Sequence, residues 1–161
     1  MKIREILFRG KCIVDFDERK LDTWVYGYFV YCASRYDDPV KDRVAEIIEL
    51  GADRQYIGEY SYWDVHKVDP DTVGQWTGLV DKNGTKIFEG DILHIHNDYN
   101  EVTKRVVSKV IVEFKDGAFV CVYHGDGDSW MHFSGFNTPT VWFEVVGNKW
   151  DNPEMVDGKA V

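Results

Sequence analysis

The chain has 161 residues, of which 44% are apolar and 15% aromatic, with 6 Trp, 9 Tyr and 9 Phe. That much apolar surface excludes a disordered chain, and the aromatic load favours sheet, where large flat side chains pack on a pleated surface. The formal charge of −9 is spread evenly, with 11 basic against 15 acidic residues in 1–80 and 8 against 13 in 81–161, which excludes a generally basic nucleic-acid-binding surface.

Taken in chain order, Ile6 and Phe8 alternate with charged neighbours and predict a first strand. The charged cluster 15–20 suits a hairpin loop before a second strand, in which Trp24, Tyr26, Tyr28 and Val30 alternate with Val25, Phe29 and Tyr31. Trp24, Tyr26, Tyr28 and Tyr31 give this run more apolar side chains than one sheet face needs, which marks it as a candidate interaction surface and predicts self-association. Val40, Val44, Ile47 and Ile48 fall at helical spacing, so a helix is the preferred reading over 40–50, while the run from Val44 to Leu50 also fits a strand. Alternation returns from Tyr56 to Val68 and predicts another strand.

Asp69 before Pro70 has the form of a cap followed by a proline at the first helical position, and Gly74 limits the turn to about one revolution. Asn83-Gly84 predicts a two-residue hairpin loop with two positive φ angles. Beyond it the chain is regularly β: strands are predicted over 87–96, 106–114, 119–124 and 140–146. A tight turn is expected at Lys115-Asp-Gly-Ala118 and an acidic loop at Gly125-Asp-Gly-Asp128. Short strands joined by tight turns over this second half fit a small barrel. A boundary is placed near Gly78–Gly84, giving 1–80 and 81–161 as two subdomains or as halves of one unit.

Chemistry is sparse. Cys12, Cys32 and Cys121 are odd in number and widely spaced, which fits reduced thiols rather than a disulfide framework or a redox pair. His94 and His96 share a strand face, and His124 or His132 could complete a three-histidine metal site, but two histidines at i and i+2 are a cheap coincidence and no metal or other cofactor is expected. Phosphate-binding glycine loops, nucleophile elbows and zinc-protease helices are absent, and the Glu89/Asp91 carboxylates read as turn formers. The charges among the first nine residues do not suit a signal peptide, and the uncharged run from Thr23 to Ser34 is too short to span a bilayer, so a cytoplasmic location without membrane contact is expected.

The segments Val68-Asp-Pro-Asp-Thr-Val-Gly-Gln-Trp-Thr-Gly-Leu79, Asp81-Lys-Asn-Gly84 and Ile87-Phe-Glu-Gly-Asp-Ile92 resemble the YopX-like proteins of bacteriophages and prophages. Arg4–Arg9, Trp24–Gly27, Glu144-Val-Val-Gly-Asn148 and Asn152-Pro-Glu154 extend the likeness over the whole chain. Trp76 and Phe88 stand where Tyr is more usual in the family, and residues 34–60 carry a longer insert. The resemblance implies an α+β, mostly β fold: an N-terminal α+β part joined to a C-terminal SH3-like small barrel. It carries no assigned activity.

The motif residues Asp69, Pro70, Gly74, Gln75, Gly78, Asn83, Gly84, Glu89, Gly90, Asp91, Gly147 and Asn148 read as architecture, because glycines permit turns and close approach while Asp and Asn accept backbone hydrogen bonds. The function expected is a non-enzymatic protein-interaction module, binding a host or phage protein and forming homo-oligomers. Two alternatives stand beside it. One is nucleic-acid binding by the SH3-like half, with Lys104, Arg105 and Lys109 on phosphates, or mimicry of nucleic acid by the acidic surface. The other is a metal-dependent enzyme built on the histidines.

Overall fold

Val25, Gly27 and Phe29 turn one way along the second strand while Tyr26 and Tyr28 turn the other, and this alternation sets the architecture of the first half. The computed structural model describes residues 5–14, 22–33, 43–49, 56–57, 60–61, 65–97, 105–123, 129–136 and 140–156. The loops expected at 15–20 and 125–128 lie outside them, as do most of the 34–60 insert, Lys104 and His124. The chain divides into two compact units, Met1–Gln75 and Trp76–Val161.

In the first unit, β1 (Phe8–Val14), β2 (Trp24–Ala33), β3 (Arg43–Glu49) and β6 (Val65–Val68) pair antiparallel in the cyclic order β1-β2-β3-β6-β1. The ring is closed, so these four strands form a small barrel. A short hairpin of β4 (Tyr56–Ile57) and β5 (Tyr60–Ser61) precedes β6. Inside the ring, Cys12, Val25, Ala45, Ile47 and Val68 are buried at 2% exposure or less, with Phe8, Phe29 and Val73 packed against them. Each large apolar side chain removed from water in this way contributes about 1.5–3 kcal/mol.

The helix preferred over 40–50 is not formed: Arg43–Glu49 is strand β3. It lies between β2 and β6, with Ile47 opposite both Phe29 and His66, so Ala45 and Ile47 enter the core while Glu46 is outward opposite Val30 and Lys67. Pairing on both edges decides the state of a short apolar run that periodicity leaves ambiguous. Helical structure among the described residues is limited to three 3-10 turns, at Pro70–Thr72, Phe133–Phe136 and Pro153–Met155, so the expected α+β character of the first part gives way to strands.

The turn at Pro70–Thr72 has the expected cap. The Asp69 carboxylate accepts from the Asp71 N–H at 3.0 Å, and Pro70 occupies the first position. Thr72 then ties the turn to β1: its hydroxyl donates to the Asp69 carbonyl at 2.7 Å and accepts from the Lys11 N–H at 2.9 Å. Strand β7 (Gly74–Val80) follows, with Gly74 and Gln75 beside Arg9 and Phe8.

The second unit holds the rest of β7, paired with β8 (Lys86–Phe88), and a five-stranded antiparallel sheet in the order β12-β11-β10-β9-β13. Its strands are β9 (Asp91–Asn97), β10 (Arg105–Lys115), β11 (Ala118–Tyr123), β12 (Ser129–His132) and β13 (Val141–Asn148). The single strand expected over 87–96 is thus two, broken at Gly90, whose φ is 82°. Sequence reading missed β12. One face carries the core of Ile87, Leu93, Ile95, Val110, Val112 and Cys121. Among the described residues no pairing joins β12 to β13, and the closed ring lies in the first unit rather than in the expected C-terminal barrel.

The two hairpin turns differ. Lys115-Asp-Gly-Ala118 has positive φ at both Asp116 (51°) and Gly117 (82°), the primed two-residue turn that matches strand twist. At Asp81–Thr85 only Gly84 has positive φ, at 84°. The Gly84 N–H donates to the Asp81 carbonyl at 3.0 Å and the Asp81 N–H to the Thr85 carbonyl at 2.8 Å, so this is a three-residue loop with a left-handed glycine instead of the expected two-residue one. Asp81 accounts for the difference, because its carboxylate gathers the Asn83 and Thr85 N–H groups at 2.8 and 2.9 Å.

Candidate interaction surfaces

Most of the motif residues hold turns together. Oδ2 of Asp81 also reaches β13, accepting from the Val145 N–H at 3.1 Å, while the Lys82 N–H donates to the Phe143 carbonyl at 3.1 Å. The loop therefore covers the outer edge of β13. Burial pushes the Asp81 carboxyl up, but hydrogen bonds from Thr85, Val145 and Asn83 outweigh that and leave it below the ordinary aspartate value.

Glu89 and Gly90 form the turn before β9. The buried Asp91 accepts from the Phe88 N–H at 2.7 Å, and a side chain at Gly90 would run into the Trp150 ring. The Gly90 N–H donates to the Val112 carbonyl, and its carbonyl accepts from Lys149. Asn148 organises the facing turn: its side-chain carbonyl accepts from the Trp150 and Asp151 N–H groups, and its amide donates to the Asp151 carboxylate at 2.7 Å. Gly147 leaves room for Asn152, which a Cβ there would strike. Gly78 has a φ of 87°, and the Trp76 indole closes this stretch by donating to the Leu79 carbonyl at 2.8 Å.

Two outward faces remain. In the first unit, Tyr26 and Tyr28 are 44% and 49% exposed. Tyr28 lies opposite Ile48, which lies opposite Val65, itself 37% exposed, so an apolar row crosses β2, β3 and β6. Trp24 is half-buried, with the Arg9 guanidinium 4.8 Å from its ring centre; the side chain of Tyr31 lies outside the described residues. Within the same barrel, sequence reading missed His66, which is buried, with Nε2 3.1 Å from a Glu49 carboxylate oxygen. Its inward position on a four-residue strand was the available signal.

In the second unit the register places Trp142 and Glu144 of β13, His96 and His94 of β9, Lys109, Glu113 and Lys115 of β10, and Trp130 and His132 of β12 on the face away from the core. His96 stacks on Trp142 with ring centres 3.6 Å apart and 8° between planes, and Lys82 Nζ lies 4.0 Å from that indole. Glu144 receives Lys82 at 3.0 Å; His96 Nε2 is 3.2 Å away, an ion-pair distance but off the line of a hydrogen bond. The Lys82 hydrogen bond in particular holds the Glu144 carboxyl below its usual range, while burial and then the His96 charge hold the His94 imidazole below its own.

The metal candidates do not converge. His94 and His96 have ring centres 6.2 Å apart on β9, His132 is three strands away, about 14 Å at normal spacing, and His124 lies outside the described residues. Among the described residues no group of three His, Cys, Asp or Glu side chains is placed to hold a metal ion, and no helix is long and apolar enough to cross a membrane. Cys12 and Cys121 are buried, and burial pushes the Cys121 thiol up to about 12.

A search among curated proteins finds no match. The fold is similar to that of protein EF1440 from Enterococcus faecalis, known from a crystal structure, at 25% identity over 94% of this chain and 98% of that one, with a TM-score of 0.50. The family model described as YopX protein matches residues 32–157, which span both units and every motif segment from Asp69 to Glu154. The chain therefore belongs to the YopX protein family.

Proposed function

We propose that this protein is a phage- or prophage-encoded accessory factor of the bacterial cytoplasm that acts by binding another protein, of host or phage, rather than by catalysis. The observation that carries the reading is the exposed row Tyr28, Ile48 and Val65, extended along β2 by Tyr26. Tyrosine is enriched at protein interfaces because it offers a large rigid contact area with a polar tip at little entropic cost. The barrel beneath is closed and its core filled, so this row contributes to no interior of its own unit. Self-association through the same row is part of the proposal. So is an SH3-like fold for the second unit, supported by its antiparallel sheet with one core-bearing face.

The test is affinity capture from a prophage-induced host after nuclease treatment, comparing wild type with Tyr26→Ser/Tyr28→Ser. A specific protein retained by the wild type and lost by the variant supports the reading. Equal recovery by both removes this face from it. Sedimentation of the two proteins separates self-association, which the double substitution is expected to abolish, from binding to a foreign partner.

A further inference from the structure

The tryptophans of this chain keep company with cations. Each of the five within the described residues has a lysine or arginine over its ring: Arg9 on Trp24, Lys86 on Trp76, Lys115 on Trp130, Lys82 on Trp142 and Lys149 on Trp150. Two of these pairs, Lys82 with Trp142 and Lys115 with Trp130, share the outer face of the five-stranded sheet.

Among the described residues of its strands and the Asp81–Thr85 loop, that face presents Lys82, Lys109 and Lys115 together with His94, His96 and His132, against Glu113 and Glu144, and Glu144 is already held by Lys82. Several acids of the same unit are spent inside it: Asp81 and Asp91 are buried and accept backbone hydrogen bonds, and Asp151 is bound by Asn148.

Trp130 is the accessible platform. It is 38% exposed on the edge strand β12, with His132 edge-on at 5.2 Å and Lys115 Nζ 5.7 Å from its centre. Trp142, by contrast, is already stacked on His96. Lys109 and Lys115 lie on one face of β10 six residues apart, about 20 Å at the rise of a strand. The turn at Pro153–Met155 brings Met155 and Val156 beside Lys109, Ile111 and Val122.

We propose that this face binds single-stranded nucleic acid, with an unpaired base stacking on Trp130 and phosphates neutralised by Lys115 and Lys109. A flat aromatic platform beside cations set a few nucleotides apart is the pattern by which sheet proteins hold single strands without reading sequence. A duplex offers no free base face to Trp130. The proposal concerns a different surface from the tyrosine row, so either can fail alone.

The experiment is fluorescence anisotropy of a labelled oligo-dT of about 12 nucleotides, titrated with the intact protein at about 20 mM salt, where phosphate contacts are strongest. Saturable binding is expected. Trp130→Ala should weaken it about tenfold, the loss of one stacked base, and Trp130→Phe should restore most of it. Lys115→Glu should weaken binding and flatten its salt dependence. Thermal unfolding of these exposed-site variants should match wild type. The proposal is overturned if the anisotropy does not change, if Trp130→Ala and Lys115→Glu both bind as wild type, or if a duplex of equal length binds as tightly. Poly-L-glutamate competing as well as oligo-dT at equal charge would also overturn it, in favour of an acidic peptide.

Discussion

The two units handle the edges of their sheets by different means. In the first, β1 pairs with both β2 and β6, and the ring they form with β3 has no open edge. In the second, no pairing among the described residues closes the five-stranded sheet, and one edge is covered by chemistry instead: the Asp81 carboxylate and the Lys82 N–H take the outer hydrogen-bonding positions of β13, while β12 at the other edge is only four residues long. A closed ring relies on strand register and close backbone approach. A capped sheet relies on a few polar side chains, Asp81 foremost.

The sharpest break of this contrast is Gly27→Val. A Cβ at Gly27 would overlap the Ile48 carbonyl, so the ring must open locally, and a loss of about 4 kcal/mol or more is expected in denaturant unfolding of the first unit. Asp81→Ala comes next. It leaves the N–H groups of Asn83, Thr85 and Val145 without their acceptor, at a cost of about 2–4 kcal/mol, read as a lower midpoint for the second unit.

Protonation tests the same contact. Because the folded-state value of Asp81 lies below its unfolded value of 3.8, its contribution is fully present above that pH. It is lost as pH falls through the lowered folded value. Wild type should therefore lose stability in strong acid more steeply than Asp81→Asn.

Gly90→Ala should cost about 2–3 kcal/mol, since it combines a positive φ with a clash against Trp150. The smallest effect separates the two turns. Asp116→Gly should be neutral to slightly stabilising, by up to about 1 kcal/mol, because Asp116 already holds a φ of 51°. Asn83→Gly gains no such relief and should cost about 0.5 kcal/mol. A last check bears on the thiols: with Cys12 and Cys121 buried and the Cys121 thiol pushed up to about 12, these two should resist alkylation at pH 8 in the native protein and react on unfolding, as read by mass spectrometry of the labelled peptides.

Much of the second unit was legible because its strands alternate cleanly and the Asp116-Gly117 pair makes a turn whose backbone demands are local. The Asp69–Pro70 cap was legible for the same reason. Residues 43–49 were not, since Val44, Ile47 and Ile48 satisfy a helical template as well as a strand, and only pairing with both β2 and β6 decides between them. The Asn83-Gly84 loop misled because Asp81, two residues upstream, supplies a carboxylate that favours a different turn.

Tyr26 and Tyr28 were readable as sharing a face from period-two alternation, while the exposure of that face follows from the fold. The cluster of Lys82, His96, Trp142 and Glu144 was not, because it joins a loop to strands about fifty residues apart, and no spacing rule reports which strands are neighbours. His94 and His96 were placed correctly on one face. Their distance from His132 depends on a strand order that sequence does not display.

The position of β13 has a consequence for how the molecule is made. It is made about fifty residues after β9, yet it lies beside β9 and pairs with Asp81 and Lys82, more than sixty residues earlier. Until residues 141–148 have been synthesised, β9 has an open side and the buried Asp81 has no strand to bind. Completion of the second unit therefore waits for Asn148, whereas the first unit has all four of its ring strands once Val68 has emerged.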